Sequence, residues 1–269
     1  MAVRARSMML AAAILAATGQ SAIAAECGNT GSGFEQWKQD FAQQAAAQGV
    51  GNKGLSALAG ASYAKATINA DRNQKSFKLS FEAFMQKRGA SAIISKGKQM
   101  KRNNAALFAN LERRYGVPAG PLVAIWGMET GFGGYMGKQN TISAITTLAY
   151  DCRRPDYFKP HAIAALKLVD KGSLSTSSVG AMHGEVGHTQ FLPGNVLRYG
   201  VDGDGDGRVD LRNKADALAS TANFLRGHGW QPGAGYQPGQ PNFAAIQGWN
   251  AASVYQRAIA VIGAEIDGR

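Results

Sequence analysis

Gly116-Val-Pro-Ala-Gly-Pro-Leu-Val-Ala-Ile-Trp-Gly-Met-Glu-Thr-Gly-Phe-Gly-Gly134 reads as a helix that stops at a glycine cluster. Pro121 suits the first helical turn, where its missing N–H costs nothing. Leu122, Ile125, Trp126 and Glu129 recur at i, i+3, i+4 and i+7, which puts the carboxylate on the apolar stripe of its own helix. Two effects then raise its pKa: desolvation beside Trp126 and Phe132, and the partial negative charge of a helix C-terminus. A carboxyl group kept protonated near neutral pH is what a general acid needs to protonate a glycosidic oxygen. Taken alone, Glu129 reads more readily as a capping or pairing residue at a helix end. The surrounding sequence decides between the two.

Helical patterns dominate on both sides. Phe34, Trp37, Phe41 and Ala45 form one face of a helix over 34–48, and a weaker pattern over 55–67 is interrupted by Gly60. Residues 77–84 and 93–113 continue the theme, the latter read as one long helix that Gly116 and Pro118 end. Further helices are expected over 142–150, 161–170, 215–227 and 253–266. The Gly- and Pro-rich stretch 231–241 reads as an irregular excursion between two of them. Strand-like alternation is scarce and there are no internal repeats, so the fold class is mainly α.

The chain has 269 residues and a formal net charge of +11. Its start resembles a secretory signal: Arg4 and Arg6, a short apolar run from Met8 to Ala17, then Ala22-Ile23-Ala24 as a cleavage site. The expected division is a signal at 1–24 and an exported, soluble, periplasmic protein from 25 to 269. Glu26 stands where a lipoprotein signal wants a small residue, which argues against a lipid anchor on Cys27. Without Arg4 and Arg6 the charge is still +9, which suits a polyanionic envelope surface. No basic run with interleaved aromatics tracks a phosphate backbone, so nucleic acid is not an expected partner. The densest basic stretch, 96–102, reads as a solvated helix face. Cys27 and Cys152 are the only cysteines. In an exported chain they are expected to form a disulfide, closing a loop of about 125 residues and stabilising by roughly 4–5 kcal/mol in the chain-entropy picture. The alternative is two unpaired thiols.

A second motif is Val179-Gly-Ala-Met-His-Gly-Glu-Val-Gly-His-Thr-Gln-Phe-Leu-Pro193. Its glycines allow the backbone to approach a ligand closely, and Gln190 can hydrogen-bond an amide or hydroxyl. At this point a resemblance becomes specific. Trp126-Gly-Met-Glu-Thr-Gly-Phe-Gly133 resembles the catalytic segment of the membrane-bound lytic transglycosylase B family, and 184–193 is similar to that family's Gly-Ala-Met-Gly-x-x-Gln-Phe-Met-Pro motif. The Asp loop at 202–210, Gly227-His-Gly-Trp230 and Trp249-Asn-Ala-Ala-Ser-Val-Tyr255 follow in family order, so the likeness runs from about Phe34 onward.

The resemblance implies a goose-type, lysozyme-like core over about 115–269 behind an N-terminal helical subdomain over about 34–114. It implies one catalytic carboxyl group, Glu129, and a glycan groove lined by Gln190, Phe191, Phe224, Trp249 and Tyr255. Aromatic residues at such positions are otherwise core residues. Two positions depart from the pattern. Glu185 and Val186 stand in place of Ala and Met, putting a second carboxylate near the groove. Trp249 stands where Tyr is expected, keeping a platform but losing a hydroxyl.

The third motif, Asp202-Gly-Asp-Gly-Asp-Gly-Arg-Val-Asp210, has the spacing of an EF-hand calcium loop: Asp202, Asp204 and Asp206, the carbonyl of Arg208, then Asp210. Position 12 is Asn213 rather than Glu, and Asp216 is the expected substitute. Three close carboxylates repel without a cation, so a structural Ca2+ is expected, and no organic cofactor. The family resemblance implies a lytic transglycosylase acting on peptidoglycan glycan strands, and a monomer is expected. It would cleave the β-1,4 bond between N-acetylmuramic acid and N-acetylglucosamine and leave 1,6-anhydromuramic ends. The competing readings are a lysozyme-type hydrolase, which needs a second carboxylate such as Asp151, Asp156 or Glu185, and a non-catalytic glycan-binding envelope protein.

Overall fold

The helix that carries Glu129 runs from Ala119 to Thr130 and is buried on all sides, Glu129 being its one residue with appreciable surface. The stripe read from the sequence is therefore a full cylinder. A helix hydrophobic all round belongs in the centre of a domain. A computed structural model supplies the fold and describes residues 26–73 and 79–269. The expected export signal at 1–24 and the start of the helix expected from Phe77 lie outside the described residues.

Among those residues there are thirteen α-helices. In chain order they are α1 (Phe34–Ala47), α2 (Asn52–Ala59), α3 (Lys65–Arg72), α4 (Phe81–Lys87), α5 (Ala90–Asn103), α6 (Ala105–Tyr115), the central α7 (Ala119–Thr130), α8 (Thr141–Tyr150), α9 (Pro155–Asp170), α10 (Pro193–Tyr199), α11 (Lys214–Gly227), α12 (Phe243–Trp249) and α13 (Ser253–Asp267). Two short strands, β1 (Gln139–Asn140) and β2 (Val179–Gly180), pair antiparallel with Gln139 opposite Gly180. Among the described residues no helix is long and apolar enough to cross a membrane.

The helix expected over 93–113 is two helices. Asn104 breaks it at φ −125°, ψ 32°, with its side-chain amide donating back to the Met100 carbonyl and its oxygen accepting from Lys214 Nζ. Asn competes with the backbone for its own hydrogen bonds and favours such breaks. The break lets α5 and α6 lie against α7 in turn. The weak pattern over 55–67 likewise resolves into α2 and α3. The excursion at 231–241 is irregular as expected. It is pinned by the buried Asn242, whose amide accepts from Gln231 N–H and donates to the carbonyls of Gln231 and Ala234.

Apolar packing forms two clusters. One is centred on α7 and gathers α4, α5, α6, α11, α12 and α13. At its heart α7 crosses α13 backbone to backbone: a Cβ on Gly120 would lie 2.3 Å from the Gly263 carbonyl oxygen. The second cluster joins α1, α2 and α3 to α8 and α9. The N-terminal helices thus divide their packing between two faces of the segment after residue 115.

Cys27 and Cys152 form the expected disulfide, with their Cα atoms 4.9 Å apart. The same junction is hydrogen-bonded: Gly28 N–H donates to the Tyr150 carbonyl, and the Tyr150 hydroxyl donates to the Thr30 carbonyl. Phe34, Trp37 and Phe41 are each at most 2% exposed, and burial of each contributes about 1.5–3 kcal/mol. Helix α1 therefore docks by packing, and the disulfide adds a constraint on the unfolded chain. Reduction, or Cys152→Ser, is expected to lower stability by about 2–5 kcal/mol while leaving helical circular dichroism intact. Denaturant titration with and without reductant checks this.

Candidate active site

Helix α7 ends because Gly131 adopts the left-handed conformation (φ 58°, ψ 43°), which glycine enters without a Cβ penalty. Phe132 follows with φ 65°, an unusual state for a residue with a side chain. The turn sets the Phe132 ring edge-on to Trp126 at 5.4 Å, beneath the ammonium of Lys96. Across from it, the loop of the second motif docks onto the end of α7. Trp126 Nε1 donates to His188 Nδ1 at 3.0 Å, and Thr130 donates to the His188 carbonyl at 2.7 Å. Since His188 Nδ1 accepts, the neutral ring carries its proton on Nε2. Burial lowers the pKa of His188, which keeps it neutral. Its role is to lock the two motifs together.

The carboxyl of Glu129 sits at this junction. Its Oε1 accepts from the Tyr255 hydroxyl at 2.7 Å and from Trp249 Nε1 at 3.1 Å. Burial pushes its pKa above the usual carboxylate range. The two donors and the charge of Arg88 pull it down, Glu185 adds to the rise, and burial prevails. With both donors converging on Oε1, the proton of the neutral acid belongs on Oε2. Tyr255 is itself pushed well above its usual value, by burial and by Glu129, so it stays a donor. Arg88 caps α4 with its guanidinium 5.4 Å from the Tyr255 ring centre.

Glu129 opens onto a cleft of about 560 Å³. Of the residues expected to line a groove, Gln190, Phe191, Phe224 and Trp249 do so. Phe191 and Phe224 are nearly inaccessible and pack edge-to-face on Trp249 at 5.1 Å each, so they form the floor while Trp249 presents surface. Tyr255 is not a lining residue. It stands behind Glu129 and only 2% exposed. The lost hydroxyl at position 249 is replaced by an indole N–H that donates to the carboxyl. Gln190 is held at φ 55°, its amide donating to the Gly187 carbonyl at 2.7 Å. Strained residues of this kind cluster at ligand sites.

The cleft also holds Tyr157, Glu185, Asn195 and Asn250. Of these the sequence had singled out only Glu185. Tyr157, 53% exposed, has no motif around it that would have marked it.

The acidic loop gathers a smaller set than its spacing suggested. Carboxylate oxygens of Asp202, Asp204 and Asp216 lie within 4.8 Å of one another. Asp206 and Asp210 lie outside this group and accept from the N–H groups of Arg208 and Arg212, while Asp202 accepts from the N–H groups of Gly205 and Gly207, and the Arg208 guanidinium reaches the Gly172 carbonyl. Asn213 caps α11, which leaves Asp216 as the closing acid. Asp216 is buried and accepts from the N–H groups of Gly203 and Asp210. Burial raises its pKa and the neighbouring Asp204 adds to the rise. Three convergent carboxylates of this kind fit a hard, oxygen-loving cation.

A buried acid facing a cleft floored by aromatic rings, on a helical core, is the arrangement of a general-acid site. The transglycosylase SLT domain family matches residues 33–239, well over half of the chain, and the protein belongs to that family. Membrane-bound lytic murein transglycosylase B of Escherichia coli (strain K12) is 36% identical over 137 residues, 48% of this chain and 38% of that protein. The chain thus matches well under half of that relative's length. The crystal structure of SltB3 from Pseudomonas aeruginosa in complex with NAG-anhNAM-pentapeptide is 29% identical with a TM-score of 0.81, covering 88% of this chain and 80% of that one. The Escherichia coli lytic transglycosylase Slt35 in complex with calcium, 22% identical, shares the fold with a TM-score of 0.77 over 90% and 96% of the two chains. The expected mainly α, lysozyme-like architecture is therefore the one observed.

Removing either donor to Glu129 takes a stabilising hydrogen bond from the carboxylate form. Tyr255→Phe and Trp249→Phe are each expected to raise the Glu129 pKa further, Tyr255→Phe more. A carboxyl-carbon NMR titration reads the shift.

Proposed function

We propose that the protein is a lytic transglycosylase that cleaves the β-1,4 bond between N-acetylmuramic acid and N-acetylglucosamine in peptidoglycan. The observation that carries this reading is the burial of Glu129, which raises its pKa, on the wall of an open, aromatic-floored cleft with two donors held on its Oε1. The neutral acid gives its Oε2 proton to the glycosidic oxygen as the C1–O bond breaks, and the electron pair leaves with that oxygen. Glu129, now a carboxylate stabilised by Tyr255, Trp249 and Arg88, takes the proton of the muramyl 6-hydroxyl. That oxygen bonds to C1 and leaves a 1,6-anhydro end. Gln190 and the Trp249 face orient the sugars. The substrate, the disulfide and the signal-like first residues together support an exported envelope enzyme that works outside the reducing cytoplasm.

Glu129→Gln keeps the shape but supplies no acidic proton. It is expected to lower cleavage by about 10²–10⁴-fold without loss of folding. Mass spectrometry of peptidoglycan digests checks both the rate and the anhydro ends, and retention of more than about a tenth of the activity rejects the assignment. Wild-type activity should fall as pH rises through the elevated Glu129 pKa, because the reaction starts from the protonated acid.

For the acidic loop we propose Ca2+ held by Asp202, Asp204 and Asp216, tying the turn before α11 to its first residues. At a hundredfold excess over Kd the ion would stabilise by about 2.7 kcal/mol. Calcium is expected to raise the melting temperature, and Asp204→Ala to remove that increment. Identical melting curves with calcium and with chelator reject it.

A further inference from the structure

Glu185 is a carboxylate that the reaction above does not use. It lines the same cleft as Glu129, at a position where the family motif carries alanine. Its side chain is 24% accessible, so its charge is partly withdrawn from solvent. Its position is fixed at both oxygens: Oε2 accepts from the His183 N–H at 3.0 Å, and Oε1 lies 3.3 Å from His183 Nδ1. The other ring nitrogen, Nε2, lies 3.5 Å from Oδ1 of Asp71 on α3. Asp71 is buried, and although burial pushes its pKa up, Arg153 and Arg154 hold it below the ordinary range as a carboxylate. The row Asp71–His183–Glu185 thus runs from the N-terminal helices to the cleft. A free surface glutamate needs no such bracing.

A carboxylate fixed in a glycan cleft accepts hydrogen bonds and stabilises positive charge. Positive charge is what develops on the sugar ring as the C1–O bond breaks and the electron pair leaves with the protonated oxygen. A preorganised charge favours that state without forming a bond or moving a proton. Resting on the function proposed above, we propose that Glu185, braced by His183 against Asp71, is a second functional carboxylate of the cleft that stabilises the charge developing on the sugar ring. Its effect on Glu129 has the matching sign. Glu185 raises the Glu129 pKa while Arg88 lowers it, so the two charged neighbours set from opposite sides the pH at which the acid is loaded. Tyr255, the remaining titratable group on Glu129, stays protonated.

The test is steady-state cleavage of fully N-acetylated peptidoglycan by wild type, Glu185→Gln, Glu185→Asp and His183→Asn, with melting temperatures measured alongside. Because the group is partly screened, Glu185→Gln is expected to lower kcat about tenfold, below the 10²–10³ of a fully enclosed electrostatic contact. KM should change little. The basic limb of its pH profile should move to lower pH, since losing a like charge lowers the Glu129 pKa. Glu185→Asp should recover part of the rate, and His183→Asn should lose part of it in the same direction. An unchanged kcat and pH profile overturns the proposal. So does a defect confined to KM on glycans bearing free amino groups, which would make Glu185 an ammonium site. A shift from reducing ends in the wild type to anhydro ends in Glu185→Gln also overturns it, since Glu185 would then be a base for water. Glu129→Gln in the same assay separates the two levels. Activity that survives that change removes the proposed function itself, whereas normal loss there with an unaffected Glu185→Gln overturns only the role of Glu185.

Discussion

The bond from the Tyr255 hydroxyl to Glu129 Oε1, with Trp249 Nε1 on the same oxygen, is the contact around which the molecule is arranged. A buried carboxyl group left without donors costs several times what a satisfied one does. Helix α7 could not place Glu129 at its end unless α13 and α12 delivered those donors. That in turn requires α13 to lie backbone to backbone on α7, which the Gly120–Gly263 crossing permits. One more methyl group on Gly120 would run into the Gly263 carbonyl and the Asp267 carboxylate. Packing and chemistry are thus set by the same close approach.

The N-terminal helices do more than cover the core. Helix α4 brings Arg88 to the back of Tyr255, and α3 brings Asp71 to His183. Electrostatic control of the cleft therefore comes from elements distant in sequence from α7. The disulfide and the packing of α1 on α8 and α9 hold that control in register. Small displacements of α3 or α4 would be read at the acid as changes of charge environment, because Coulomb interactions in partly buried sites are weakly screened.

The acidic loop connects to the cleft by a different route. Asp216 stands in the first turn of α11 and receives the loop's N–H groups, while Phe224 near the end of the same helix forms part of the cleft floor. Ordering the loop fixes the start of that helix. A cation there would act on stability and on the rigidity of the floor, at residues that do not line the cleft.

From the sequence, the helical class, the acid at the end of its helix, the order of the motifs and the cysteine pair were legible. Each rests on local rules: 3.6-residue periodicity, glycine at a left-handed cap, the spacing of acidic residues. The acid's raised pKa was legible as desolvation, and burial is its largest cause in the fold. Three things needed the tertiary structure. Asn104 splits an apparently continuous helix because its amide can reach Met100 and its oxygen Lys214. The calcium-like spacing contracts to Asp202, Asp204 and Asp216, because the fold of the loop onto the first turn of α11 brings the oxygens of those three within 4.8 Å of one another. And Tyr255, expected on the groove wall, and Trp249, expected only as a platform, both become donors to Glu129, while Tyr157 and Asn195 join the cleft unannounced. Periodicity tells which residues share a face of one helix. Which atoms meet across helices 120 or more residues apart is decided by packing, here by how closely α7 and α13 approach at Gly120 and Gly263.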